Sequence, residues 1–184
     1  MVERLGIAPD HVAALRERYF QTYGTTLAGL QHDNYPVNPQ DYYDYVHDLP
    51  LENYLQPAPQ LAALLARLPL ERVIFTNSDA PHARRVLARL GILELFSRII
   101  DIYTLAYFNK PNPRAYHRAL HLLPALPTEC VLLDDDVRNL RPARELGMLT
   151  ILVGPPPPTA ATLVADYWVA DILAIEPLLR DHHD

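Results

Sequence analysis

The chain has 184 residues, 49% hydrophobic and 21% charged, a balance that supplies one ordinary globular core and excludes disordered, collagen-like and coiled-coil designs. Its 16 Lys and Arg against 22 Asp and Glu leave a net charge of −6, which argues against gripping nucleic acid or a membrane surface mainly by charge. A single cysteine, Cys130, cannot close an internal disulfide, the N-terminus has no signal-peptide core, and no stretch reaches the roughly 18 apolar residues of a membrane span, so the expected location is the cytoplasm.

Residues 1–56 read as a small helical unit rich in tyrosine. A first helix is expected over His11–Tyr23, capped by Asp10, with Val12, Leu15, Tyr19 and Phe20 at helical spacing and Gly24 as its stop. A short second helix follows Thr25-Thr26. Pro36 and Pro39 break the chain before a third helix over Asp41–His47, and Pro50, Pro57 and Pro59 punctuate the exit.

Residues 57–184 change texture. Helices alternate with short, nearly continuous apolar runs, which is how strands buried on both faces of a parallel sheet read. The expected order is helix Pro59–Leu68, strand Arg72–Thr76, helix Ala80–Leu90 ending at Gly91, strand Arg98–Asp101 and helix Pro113–Leu123. Strand Cys130–Asp134, helix Asn139–Leu146 ending at Gly147 and strand Thr150–Val153 come next, then Gly154 and the stiff run Pro155–Pro158. A strand at Tyr167-Trp168-Val169 and a helix over Ile172–Leu179 finish the chain. This pattern predicts an α/β fold, a three-layer Rossmann-like, doubly wound parallel sheet with right-handed crossovers, carrying the small helical unit as an addition.

In such sheets ligands bind beyond the carboxyl ends of the strands. Three segments lie there. Thr76-Asn77-Ser78-Asp79 offers hydroxyl, amide and backbone donors at a helix start suited to phosphate, although Ser78 or Asp79 can equally be a simple cap. The loop Tyr107-Phe108-Asn109-Lys110-Pro111-Asn112-Pro113 carries the only lysine, either a point charge for phosphate oxygens or a solvated loop residue. Asp134-Asp135-Asp136 crowds three carboxylates at a strand end, which repel one another unless a cation or a base compensates; oxygen-only ligands favour Mg2+, and capping with solvent exposure is the alternative. Cys130, inside an apolar run, is expected to be a buried structural thiol. The histidines form no two-His, one-carboxylate pattern on one site and are expected at the surface, with His182-His183-Asp184 a frayed tail.

In this order the three segments resemble the second, third and fourth motifs of the haloacid dehalogenase-like (HAD) phosphohydrolases. The likeness is to the pyrimidine 5'-nucleotidase branch, through Val73-Ile74-Phe75-Thr76-Asn77-Ser78 with Ala83 to Gly91, Lys110-Pro111-Asn112-Pro113-Arg114-Ala115-Tyr116, and Leu133-Asp134-Asp135 with Arg138-Asn139-Leu140. Tyr23 to Leu30 resembles that branch's cap. The resemblance implies a helical cap over 1–56 and a HAD core over 57–184, Thr76 and Asn77 on the transferring phosphoryl group, Lys110 offsetting its charge, Asp134 and Asp135 holding Mg2+, and Tyr23 and Thr25 facing substrate. Substrate would be a small phosphorylated metabolite, a pyrimidine nucleoside monophosphate by branch, hydrolysed through an aspartyl-phosphate.

One motif departs from that pattern. The family's first motif, an apolar strand ending in Asp-x-Asp-x-Thr ahead of the cap, supplies nucleophile and general acid/base, and no such strand occurs before Pro9. Asp134-Asp135-Asp136 does not replace it, because Arg138 stands where the family has Thr or Val and the chain order is wrong. In the family that strand lies between those ending at Thr76 and Asp134, so two apolar edges are expected to stay open unless they pair directly. The expectation is an N-terminally truncated phosphatase, nearly inactive as it stands; the alternative is a catalytically inactive remnant that binds phosphate or a protein partner.

Overall fold

The computed structural model describes residues 1–156 and 164–180; Pro157, Pro158 and the His182-His183-Asp184 tail, named above, lie outside them. Four helices build the N-terminal unit: α1 (Val2–Leu5), α2 (Pro9–Tyr23), α3 (Thr26–His32) and α4 (Pro39–His47). Helix α1 was not expected from the sequence. Helix α2 starts two residues before the expected His11, with Ala8 at its N-cap and Pro9 in the first turn, where a missing N–H costs nothing; Asp10 lies in that turn and is not the cap. Thr25 Oγ1 caps α3 by accepting from Ala28 N–H, and Asn38 Oδ1 caps α4 ahead of the expected Asp41 start. The unit's core is Ile7, Tyr19 and Leu30. Tyr19 packs so closely on α3 that a Cβ at Gly29 would fall 2.1 Å from its ring, which is why glycine stands there.

The second half alternates strand and helix: α5 (Pro59–Arg67), β1 (Val73–Phe75), α6 (Ala80–Leu90), β2 (Arg98–Ile100), α7 (Pro113–His121), β3 (Val131–Asp134), α8 (Val137–Glu145), β4 (Leu149–Val153), β5 (Tyr167–Val169) and α9 (Glu176–Arg180). Every described strand pair is parallel. β1 ends one residue earlier than expected, although Thr76 N–H still donates to Ile100 C=O. Helix α8 begins two residues early because the Asp136 carboxylate caps it through Arg138 N–H. The expected final helix divides into a 3-10 turn, Ile172–Ala174, and α9, because Pro177 has no N–H to continue a helix begun at Ile172. Cys130 is half-buried rather than buried, with its thiol donating to Leu126 C=O.

Helices cover both faces of the strands, giving the three layers expected. On one face Ala115, Tyr116 and Ala119 of α7 and Leu140 and Ala143 of α8 pack on Ile100, Leu132 and Leu152. Leu64 and Leu65 of α5, Leu87 of α6 and Leu179 of α9 cover Ile151 and Val169 on the other. The strands do not form one continuous sheet: β1 pairs with β2, and β3, β4 and β5 pair in that order, with no pairing between β1 and β3. No described helix is long and apolar enough to cross a membrane.

Candidate active site

β1 and β3 end on the same side of the molecule, and the loop before α7 joins them there. Lys110, 8% exposed, donates from Nζ to Asp134 Oδ2 at 2.6 Å, and Asp134 is itself buried. The ammonium also lies 5.0 Å from the Phe75 ring centroid. Asn77 fixes the other end of this lysine: its Oδ1 accepts from Lys110 N–H at 2.6 Å and its Nδ2 donates to Lys110 C=O at 3.0 Å. All three strand-end segments therefore meet at one residue. Asn77 spends its carbonyl and one amide hydrogen on Lys110, so it holds the lysine peptide as much as it could hold a ligand. Thr76 Oγ1 accepts from Ser78 N–H at 3.0 Å, which leaves its own hydrogen free to donate.

Asp134 Oδ1 accepts from Asp136 N–H and Asn139 Nδ2, both at 2.9 Å. Together with Lys110 these fill about three of the roughly four lone-pair positions of a carboxylate and leave one on Oδ2. Asp135, next in the chain, is exposed. Asp134 and Asp135 offer only hard oxygen donors, the type Mg2+ takes, and no cluster of three or more His, Cys, Asp or Glu suited to a metal exists among the described residues. Asp136 points elsewhere: it takes Arg138 Nε and Nη2 in a two-pronged contact. Burial works to raise its pKa, and the bonds and charge of Arg138 outweigh that and hold the carboxyl below its usual range.

The helical unit reaches the site through backbone contacts. Asn109 Nδ2 donates to Tyr23 C=O at 2.7 Å, and Arg138 Nη1 donates to Phe20 C=O at 3.0 Å with its guanidinium over the Phe20 ring. Gly24, at φ +81°, is pressed on the lysine loop, and a Cβ there would lie 2.5 Å from Lys110 C=O. Tyr23 and Thr25 flank Gly24 in the chain; the Thr25 hydroxyl oxygen is engaged in capping α3, and the Tyr23 ring lies tilted against His32, with centroids 4.6 Å apart.

Sequence reasoning missed one cluster beside this site. His47 of α4 and His82 of α6, expected at the surface, stack face to face with centroids 3.8 Å apart. His47 Nδ1 is 2.7 Å from Asp79 Oδ1, and its Nε2 is 3.3 Å from Ser78 Oγ. Burial pushes both imidazole pKa values down, for His47 against the opposing pull of Asp79. Tyr43, one helical turn before His47, donates to Asn77 C=O at 3.1 Å. The only sequence signal was that Tyr43 and His47 share a face of α4; the 35-residue separation of His47 from His82 concealed the rest. His117 and His121 are exposed, as expected.

Residues 6–147 match the family model described as haloacid dehalogenase-like hydrolase. The chain is 31% identical over 159 residues to phosphate metabolism protein 8 of Saccharomyces cerevisiae, covering 78% of this chain and 49% of that protein. It is 30% identical over 116 residues to the β-phosphoglucomutase of Bacillus subtilis, covering 62% and 50%. The chain spans about half the length of these two relatives. Among solved structures, a HAD phosphatase from Thermococcus onnurineus superposes with a TM-score of 0.63 at 18% identity, over 97% of this chain and 84% of that one, a likeness of fold.

Proposed function

The chain belongs to the haloacid dehalogenase-like hydrolases, and from that premise we propose that its chemistry is the Mg2+-dependent hydrolysis of a small phosphomonoester, a pyrimidine nucleoside 5'-monophosphate, in the cytoplasm. The observation that carries this reading is the meeting of Asn77, Lys110 and Asp134 at the strand ends, with Thr76 next to Asn77 in the chain.

An ammonium has three hydrogens, and Lys110 gives one to Asp134, so two remain for phosphoryl oxygens. Thr76 adds its free O–H from the opposite strand end. Held in a buried site, these donors stabilise charge on a transferring phosphoryl group more strongly than they would in water. Asp134 and Asp135 would hold Mg2+, which supplies further neutralisation of phosphate charge when bound. Tyr23 and Thr25, on either side of the Gly24 that meets the lysine loop, are the residues through which the helical unit would select the rest of the substrate.

None of these groups is an activated nucleophile. Asp-x-Asp-x-Thr does not occur within residues 1–184, and the one Asp-x-Asp, Asp134 to Asp136, is spent on Lys110 and Arg138. Residues 1–184 by themselves are therefore expected to release phosphate from UMP or CMP only at background rate, yet to bind inorganic phosphate when Mg2+ is present. Lys110→Met, which keeps the apolar stem, should weaken phosphate binding about tenfold or more, roughly 1.4 kcal/mol. Asp134→Asn should abolish its dependence on Mg2+. Calorimetric titration reads both; equal phosphate affinity in the parent chain and Lys110→Met would remove the lysine from the site.

A further inference from the structure

The helical unit and the α/β half touch through two rings, one from each. His47 of α4 and His82 of α6 lie stacked, with 3.8 Å between centroids and 12° between planes, and the Tyr43 ring stacks on His47 in turn. Apolar packing across the same boundary is a small cluster, Leu27 and Tyr43 on Ile102. Two neutral imidazoles stack at this distance without electrostatic cost. Two imidazolium cations repel, and a half-buried setting screens them poorly.

The charges around the pair balance one proton and not two. From α4 itself Tyr43 and Asp44 face His47, and the loop before α6 brings Ser78 Oγ to 3.3 Å from Nε2 and Asp79 Oδ1 to 2.7 Å from Nδ1. Helix α6 adds Arg85. The loop after β2 adds Tyr103, which packs on Tyr43, and Asp101, whose carboxylate is taken by Ala80 and Thr104 N–H. A first proton on His47 therefore finds the buried Asp79 as its counter-charge. A second, on His82, does not: Asp79 is committed to His47, and His47 and Arg85 both oppose charge there. His82 Nδ1 is buried with no hydrogen-bond partner among the described residues. Burial opposes charge on both rings as well. Once α4 lifts off α6, the rings reach water and take up protons near the ordinary value of about 6.5. The lifted form then binds more protons than the docked form, so docking weakens as pH falls below that value.

We infer that the His47–His82 stack is a proton-operated latch, which holds α4 on α6 while both rings are neutral and releases it when both are charged. The Arg85 bonds to His47 and Leu49 C=O open with it; they are exposed and exchange for water at little net cost. Helix α2 stays tied through Asn109 to Tyr23 and Arg138 to Phe20, so the release concerns α4 and its flanking residues. It reaches the strand ends all the same, because Tyr43 donates to Asn77 C=O and the Asn77 side chain grips Lys110 N–H and C=O. The latch rests on packing and charge, and stands whether or not the strand ends hold phosphate.

The test follows amide hydrogen exchange of α4 against β4 as pH is lowered, with rates corrected for the pH dependence of free amides, in the parent chain and in His82→Phe. Phenylalanine keeps a flat ring on His47, cannot take a proton, and gives up no hydrogen bond at Nδ1. In the parent, protection of α4 relative to β4 is expected to fall about tenfold or more below pH 6.5, and in His82→Phe to hold. Constant α4 protection down to the pH at which β4 itself opens overturns the latch, and so does an equal fall in the variant, which places the proton on another group. A second measurement needs no variant: proton NMR of the imidazole C–H signals in the parent, where stacking displaces the signals by ring current. Loss of that displacement at the pH where α4 opens is expected. Rings that take up protons and remain stacked overturn the inference. Since no readout is phosphate binding or turnover, failure here leaves the strand-end site untouched, and failure of that site leaves the latch untouched.

Discussion

Lys110 is the only lysine beside fifteen arginines, and its surroundings explain the choice. A compact ammonium fits between the Phe75 ring and the Asp134 carboxylate with donors to spare, where a planar guanidinium would need a wider, fork-shaped partner. Thr76, Lys110 and Asp134 were legible in the sequence because each follows an apolar run or a proline-stiffened loop at a strand end. His47 and His82 were not, because their meeting depends on how α4 docks against α6. Their pair gives a pH prediction. Both imidazoles titrate below the ordinary 6.5, since burial disfavours their charged form. The unfolded chain therefore takes up protons first, so this contribution to stability is complete above pH 6.5 and is lost as pH falls through the depressed values. Asp79, Asp44, Arg85 and Tyr43 surround the pair and set how far the window extends. Thermal melts should show stability falling as pH drops below about 6.5, with the slope flattened in His47→Gln/His82→Gln. An unchanged slope in the double variant would sink the assignment.

At the scale of elements, the helix stops and caps were the most readable features. Gly24, Gly91 and Gly147 end α2, α6 and the turn after α8 in positive φ, and Thr25 caps the next helix. The reason Gly24 matters most was not readable, because its tight contact is with the Asn109–Pro111 loop far along the chain. Gly24→Ala should cost about 2 kcal/mol or more, from left-handed backbone strain plus the clash with Lys110 C=O. It should also weaken phosphate binding, because the loop that carries Lys110 must move. A melt and a titration on the same variant check both, and a variant with parent stability would contradict the close contact. The strands were placed within about a residue, and the misplaced ends at α2, α8 and α9 each trace to a proline or a side-chain cap.

Over the whole molecule, the helical unit is tied to the α/β half by side chains that reach backbone carbonyls: Arg85 to His47 and Leu49, Arg138 to Phe20, Asn109 to Tyr23 and Tyr43 to Asn77. Removing both arginines, Arg85→Ala/Arg138→Ala, should loosen the unit without unfolding either core, and raise protease cleavage in the proline-punctuated residues 48–58 several-fold. Cleavage at the parent rate would show that apolar packing alone holds the unit. The amino-acid sequence by itself determined the α/β class, the order of strands and helices and the strand-end residues, because these follow from local periodicity, turn chemistry and the rule that parallel sheets bind ligands at their carboxyl ends. Tertiary structure alone decided that Asn77 clamps Lys110, that two distant histidines stack on Asp79 and that β1 and β3 stand apart. Those are contacts between segments far apart in the chain, and their geometry is set by how helices pack on both faces of the strands, which no local pattern encodes.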